Sequence, residues 1–298
     1  MAASSERLVA LLASASVEIS SRGGQLEALR EQFAAGTEVT ITFLPGDNFR
    51  ANAETATALR RAGFEPVPHI AARELPSREV LDDFVARLRG EADVHRVLLI
   101  AGDVAGHRGP FRSSRDVAAT GLLEAHGIRR VSVAGHPEGH PYLDEAAAFR
   151  GLEDWRHWDA ASGIRVDIVT QFCFEGAPIL KFLGELAARD IRLPVTIGLA
   201  GPATPATLTK FALRCGVGNS MRALRNQIGR FGRLLVDAGP DEVMRALEAA
   251  PAAATASIAG FHIFPFGGLR KARNWLREYP ASASEPTQAL ASSSHPNP

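Results

Sequence analysis

Short runs of β-branched and apolar residues alternate along this chain with longer stretches whose apolar positions recur at helical spacing. The short runs predict strands at residues 16–20, 38–43, 65–71, 96–101, 130–136, 166–172, 194–200 and 260–266. Near-continuous apolar runs of this kind suit strands covered on both faces. Between them, residues 26–34 set Leu26, Leu29 and Phe33 on one helical face. Stretches 51–62, 77–89, 113–126, 144–160, 177–188 and 204–213 behave alike. A longer helical region, 220–249, is broken at Gly239-Pro240, and a final helix spans 269–278. Gly36, Gly63, Gly90, Gly127 and Gly163 read as helix stops.

Eight strands alternating with helices predict an α/β fold: a single (β/α)8 TIM barrel over residues 1–279, with an extended helical connection before the last strand. A Rossmann sheet is the rival. Its first turn would carry a glycine-rich dinucleotide spacing, which Ser21-Arg22-Gly23-Gly24 lacks. Residues 280–298 are rich in Ala, Ser and Pro and bury too little to order themselves, so they are expected to be a disordered tail. The first 20 residues faintly mimic a signal peptide. Their apolar core is too short, and they read as a first helix leading into a strand.

The composition is that of an ordinary globular chain: 298 residues, 46% hydrophobic and 22% charged, which excludes collagen-like and disordered classes. Thirty-three basic residues balance thirty-three acidic ones. With no bulk field to gather polyanions, nucleic acid and anionic membrane are not expected partners. No apolar run reaches the roughly 20 residues of a membrane span. Two cysteines, Cys173 and Cys215, make neither a disulfide scaffold nor a four-cysteine zinc site, and a reducing cytoplasmic setting is expected. Both have apolar neighbours and read as packed thiols.

Barrels of this kind build their sites at the C-terminal strand ends. Here those ends bring Glu18, Thr42, His69, Gly102-Asp103, His136, Gln171 and Phe264 to one rim. Glu18 lies between Val17 and Ile19. A carboxylate there is costly to bury unless paired, so a raised pKa suited to a general acid is expected, against the plainer reading of a structural ion pair. Asp103 caps a turn or takes part in chemistry, His69 is a satisfied rim imidazole or a ligand contact, and Gln171 is a lumen hydrogen bonder or an amide reader. His136-Pro137-Glu138-Gly139-His140 has a metal-like spacing, but the prolines oppose helical ligation and no third ligand is evident, so no metal is expected. Arg222, Arg225, Arg230 and Arg233 read as a solvated helix face. Lys181, Lys210 and Lys271 all fall in predicted helices, which disfavours Schiff-base chemistry on a strand. There is no nucleophile elbow and no Walker loop.

The same rim resembles the methylenetetrahydrofolate reductase family over about residues 16–268. The strongest likeness is Val169-Thr170-Gln171-Phe172-Cys173-Phe174-Glu175 followed by Ile191-Arg192-Leu193-Pro194-Val195-Thr196-Ile197-Gly198. Val17-Glu18-Ile19-Ser20, Pro68-His69-Ile70, Ala101-Gly102-Asp103, His136-Pro137-Glu138-Gly139-His140-Pro141 and Gly260-Phe261-His262-Ile263-Phe264 are similar to its other motifs, in the right order. The resemblance implies reduction of 5,10-methylenetetrahydrofolate to 5-methyltetrahydrofolate by NAD(P)H through bound FAD, in ping-pong fashion. By motif, Glu18 would protonate N10 so that the methylene bridge opens, and Asp103 would stabilise the iminium. Gln171 and Phe264 would hold the folate, with Arg270 near its tail. Thr42, His69, Gly102, Asp103, His136, His140, Arg156 and His157 would contact the flavin or its phosphates.

The departures fall mostly on cofactor positions. Ala101 stands for the family's arginine and His136 for its tyrosine. Arg156 and His157 align loosely with a basic pair, and Gly267-Gly268 replaces an Asn-Arg. FAD is still the expected cofactor, because backbone donors and loops replace side chains. Direct hydride transfer from NAD(P)H without flavin is the alternative. A non-redox folate- or corrinoid-binding partner of a methyltransferase is a reading from another class. A phosphate-binding barrel lyase would want glycine-rich turns after strands seven and eight, which Gly201-Pro202 and Gly267-Gly268 half satisfy. A homo-oligomer is left open.

Overall fold

The computed structural model describes residues 2–102, 104, 106–140, 143–214 and 237–283. The strands are β1 (Ser16–Ser20), β2 (Glu38–Thr42), β3 (Glu65–Ala71), β4 (Arg96–Ile100), β5 (Arg130–Gly135), β6 (Arg165–Thr170), β7 (Val195–Ala200) and β8 (Ile258–Phe264). All pair in parallel, in sequence order, and β1 pairs β8 to close the barrel. The interleaved helices are α1 (Ala2–Ala13), α2 (Leu26–Gln32), α3 (Phe49–Arg61), α4 (Arg78–Ala92), α5 (Ser114–Ala118) and α6 (Leu122–Ala125). They continue as α7 (Glu145–Ser162), α8 (Gly176–Ala188), α9 (Pro205–Arg214), α10 (Asp241–Ala249) and α11 (Leu269–Ala283). The expected (β/α)8 barrel is therefore the observed architecture.

Polar side chains cap several of the helices that follow the strands. Ser77 Oγ accepts from the Val80 amide at 3.4 Å, and Asp144 Oδ1 accepts from the Ala147 amide at 2.7 Å. Two boundary expectations are corrected. Gly90 does not stop α4, which runs on to Ala92 and ends where Asp93 adopts φ +46°. Residues 113–126 form two short helices, not one, because Gly121 takes φ +71° between them. At the far end, α11 continues through Pro280 to Ala283, past the expected start of the tail at 280. Residues 284–298 and 215–236, with the arginine series and Cys215, lie outside the described residues. Among the described residues no helix is long and apolar enough to cross a membrane.

The strands are covered on both faces, as expected, but the two faces differ in polarity. Outward residues such as Val17, Val39, Ile41, Val97, Val131 and Ile168 pack with the helices in the main core. The inward ones are largely polar. At the N-terminal end of the lumen, the Arg96 guanidinium meets Glu38 at 2.5 Å, Ser132 at 3.0 Å and Asp167 at 3.2 Å. Arg130 adds a contact to Asp167 at 3.4 Å. Burial pulls the Arg96 pKa down, but Asp167 and Glu38 outweigh it and hold it above its ordinary value. A small apolar belt of Val67, Leu98 and Val169 also lies inside.

Candidate active site

The mouth is built from residues that the barrel's two-residue alternation turns inward. Glu18 pairs with Thr40 in register, two positions above Ser16 on the same face of β1. Its carboxylate is 3.7 Å from Nε2 of His69 on β3, with the two side chains 18% and 7% exposed. Burial pushes the His69 pKa down to about 3, so the ring is neutral at pH 7 and the contact is not an ion pair. At 3.7 Å it is also too long for a hydrogen bond. Neither ring nitrogen of His69 has a hydrogen-bond partner among the described residues.

A second buried imidazole, His262 on β8, completes the middle of the lumen. Its Nδ1 is 2.8 Å from Ser16 Oγ and its Nε2 is 3.5 Å from Thr40 Oγ1. Burial, with His69 and Arg96 nearby, pushes its pKa down to about 3. His262, Ser16 and Thr40 were not among the expected site residues. For Ser16 and Thr40 the signal was present as polar residues alternating with apolar ones in Ser16–Ser20 and Glu38–Thr42, and for His262 as the polar position between Phe261 and Ile263.

Gln171 follows β6, where its amide donates to the Gly135 carbonyl at 2.8 Å and its side chain hydrogen-bonds His136. His136 is held near pKa 4, lowered by burial and by His140, and raised in part by Gln171. The His136 and His140 rings meet edge to face, 4.8 Å apart, because Gly139 at φ +87° turns the chain back on itself. Among the described residues no cluster of three or more His, Cys, Asp or Glu is arranged to hold a metal. Buried Cys173 sits beside Glu138, and burial first, then that carboxylate, raises its thiol pKa well above the ordinary value.

Phe264 ends β8 against a half-buried aromatic wall. Its ring meets Phe172 at 5.5 Å and lies parallel to Phe266 at 5.8 Å, while Phe211 of α9 stacks on Phe266 at 4.2 Å. Gly198 lies under the Phe264 ring, and a Cβ there would fall 2.8 Å from it. Phe211 and Phe266 were missed, since nothing in their local pattern distinguishes them from core.

Thr42 closes β2, half-buried, with its carbonyl accepting from Asn52 at 3.4 Å. Gly102 follows β4 at φ +98°, close against Ala71. Asp103 lies outside the described residues. Arg270 is exposed on the first turn of α11. Arg156 and His157 are the clear exceptions to convergence. They lie in the C-terminal half of α7, where Arg156 meets His157 at 2.8 Å and Asp190 at 3.5 Å. Asp190 lies between α8 and β7, where the chain enters the barrel, so this pair faces the end opposite the mouth.

Beside the mouth a cavity of about 870 Å³ opens between the ends of β4 and β5 and helices α7 and α8. Ile100, Ala134 and His136 line its mouth side, and Phe149, Leu152 and Trp155 its outer wall. No protein-family model matches the chain.

Proposed function

We propose that this protein is a hydride-transferring reductase of the methylenetetrahydrofolate reductase type, carrying one-carbon units to the methyl level with NAD(P)H. The observation that carries the reading is Glu18, turned into the mouth 3.7 Å from an imidazole that burial keeps neutral. His69 therefore puts no positive charge beside the carboxyl group. A carboxylic acid at such a spot suits the one proton transfer this reaction demands, delivery to N10 as the methylene bridge opens. Gln171 offers amide donors and acceptors to a pterin edge, and the Phe264–Phe266 wall offers an apolar face to its aryl part.

The residues present fit a flavin in the neighbouring cavity. Its 870 Å³ is within the range of cofactor pockets, its floor is apolar, and His136 Nδ1 is buried there without a partner among the described residues. His136 and Gln171 would hold the polar edge of the ring system, and the cavity's arginines its phosphates. The chemistry such a group supplies is a two-electron relay between NAD(P)H and the folate. One observation favours the second reading, direct transfer from NAD(P)H without flavin: Arg156 and His157 face Asp190 at the other end of the barrel and leave the mouth without that basic pair.

The purified protein separates these readings. A flavin spectrum, bleached by NAD(P)H and restored by 5,10-methylenetetrahydrofolate, supports the first. A colourless protein that performs the same reduction supports the second, and no folate reduction refutes both. Glu18→Gln is expected to lower folate reduction about 100-fold or more, the usual scale for a lost general acid. Undiminished turnover would refute the acid role.

A further inference from the structure

The turn after β3 carries a buried carboxylate that the proposed chemistry leaves unused. Glu74 ends the short turn of helix Ala72–Glu74 and is 3% exposed. Neither of its carboxylate oxygens has a hydrogen-bond partner among the described residues. Its ion-pair partner among them is Arg108, whose Nε lies 3.0 Å from Oε2 without the alignment of a hydrogen bond. The Arg108 side chain is 57% exposed, so water solvates the cation while the anion is desolvated. A carboxylate held in this way costs stability, and one ion pair with a solvated partner returns little of it.

What Glu74 does hold is a piece of chain. Arg108 belongs to a strap, residues 106–112, between β4 and α5. The Arg108 amide donates to the Arg73 carbonyl at 2.8 Å, and the Arg73 amide donates to the Ala101 carbonyl at 2.9 Å, directly beyond β4. The Arg73 guanidinium donates to the carbonyl of Val104 at 3.3 Å, before the strap, and to that of Arg112 at 3.0 Å, at its end. At Gly109 the two backbones touch: a Cβ there would collide with the carbonyl oxygens of Leu75 and Pro76. Farther on, Phe111 is buried in the core, and Asp116 accepts from the Arg112 and Ser113 amides at 2.7 and 2.9 Å. Packing and a helix cap therefore anchor the far end of the strap, and Glu74 grips it nearer the mouth.

We propose that Glu74 is a positioning residue: with Arg108 it latches the strap onto the turn after β3 and thereby fixes the end of β4 at the mouth. Its effect on folate reduction rests on the reductase reading. The latch itself rests on the buried carboxylate, the strap's hydrogen bonds and the contact at Gly109. Because the carboxylate lowers stability while it serves placement, substitution should separate the two.

Hydrogen exchange of the Arg73 and Arg108 amides is followed residue by residue in the full chain, with the melting temperature alongside. Glu74→Met should speed both exchanges about tenfold or more. It should still melt at or above the wild-type temperature, because the cation it leaves is already solvated. Arg108→Met should speed exchange too but melt lower, since it strands the buried carboxylate. Arg108→Lys keeps the charge and should retain most of the protection. Gly109→Ala lifts the strap from its own side and should speed exchange like Glu74→Met, so the outcome does not depend on one variant folding. Gly106→Ala, whose Cβ would meet nothing within 4 Å, should match wild type. Under the reductase reading, kcat/KM for 5,10-methylenetetrahydrofolate should fall about fivefold or more in Glu74→Met and Gly109→Ala and hold in Gly106→Ala. Wild-type exchange in both Glu74→Met and Gly109→Ala would overturn the latch. Equal melting losses in Glu74→Met and Arg108→Met would make the pair a stability element and overturn the placement role. Faster exchange with undiminished folate turnover would overturn the positioning of the mouth. Faster exchange in a protein whose wild type reduces no folate would leave the latch standing and remove the reductase reading.

Discussion

Two uncharged imidazoles inside the barrel make the protein's stability steeply sensitive to mild acid. The folded pKa values of His69 and His262 are both about 3, against 6.5 for an unperturbed ring. The unfolded chain therefore binds protons that the folded one refuses. Stability is fully present above pH 6.5 and is lost as pH falls toward 3. A ring that titrates at 6.5 when unfolded and near 3 when folded loses about 2 kcal/mol between pH 7 and pH 5, so the pair loses about 4 kcal/mol. The discriminating variant is His69→Leu. It removes one titrating ring and two buried nitrogens that have no partner among the described residues. At pH 7 its stability should match or exceed that of wild type, because an unpartnered buried polar group is replaced by an apolar one of similar size. Urea unfolding at pH 7 and pH 5 should show it losing about 2 kcal/mol less than wild type over that interval. His136 adds acid sensitivity of the same sign, but it is common to both proteins and cancels in the difference. An acid loss in His69→Leu within about 0.5 kcal/mol of wild type would refute a neutral, desolvated His69.

At the N-terminal end of the lumen, Arg96→Met leaves Asp167, which is 5% exposed, to the longer 3.4 Å contact with half-exposed Arg130, and should cost about 3 kcal/mol in urea unfolding. Adding Glu38→Gln and Asp167→Asn should restore at least half of that; a loss below about 1 kcal/mol would show that the cluster is incidental. Gly198→Ala puts a Cβ 2.3 Å from the Thr170 carbonyl oxygen and 2.8 Å from the Phe264 ring. It should destabilise by about 1–3 kcal/mol and alter the near-ultraviolet circular dichroism of the aromatic wall. Wild-type values in both measurements would mean that the close packing does not constrain Phe264.

Element order and type were legible because each strand run is short and several helices begin with a recognisable cap, as at Ser77 and Asp144. Boundaries were less so. The αL turn after α4 is supplied by Asp93 although Gly90 is three residues away, since α4 still has Ala92 to bury before it can end. At the mouth, Glu18, His69, Gln171 and Phe264 could be placed from strand ends alone, because strand direction and alternation leave one choice of face. Arg156 and His157 could not. On a helix of 18 residues, a few positions decide which end of the barrel a side chain reaches, and a loose alignment does not fix them. The partner in the fold that mattered, Asp190, is 34 residues away in sequence.

The runs of residues predicted covered strands and left the polarity of the lumen unstated, and that polarity bears on function. A barrel whose interior is filled with branched apolar side chains draws stability from that filling. Here the outward faces of the strands and the helices around them form the large core, from Leu8 on α1 to Leu276 on α11. Inside the lumen, the described residues form a small apolar belt of Val67, Leu98 and Val169 with Ile100 against it. Many of the lumen's other inward positions hold groups that are costly to bury: a guanidinium with two carboxylates, two neutral imidazoles, and Glu18 beside one of them. Each such group lowers the margin of a fold that stands only about 5–15 kcal/mol above unfolding. Their arrangement is ordered along the axis, with the full charges paired at the closed end and the neutral rings between them and the mouth. That order keeps formal charge away from the point where Glu18 would hand over a proton, and it leaves the unpartnered edge of His69 as the nearest polar surface on β3 for whatever binds there.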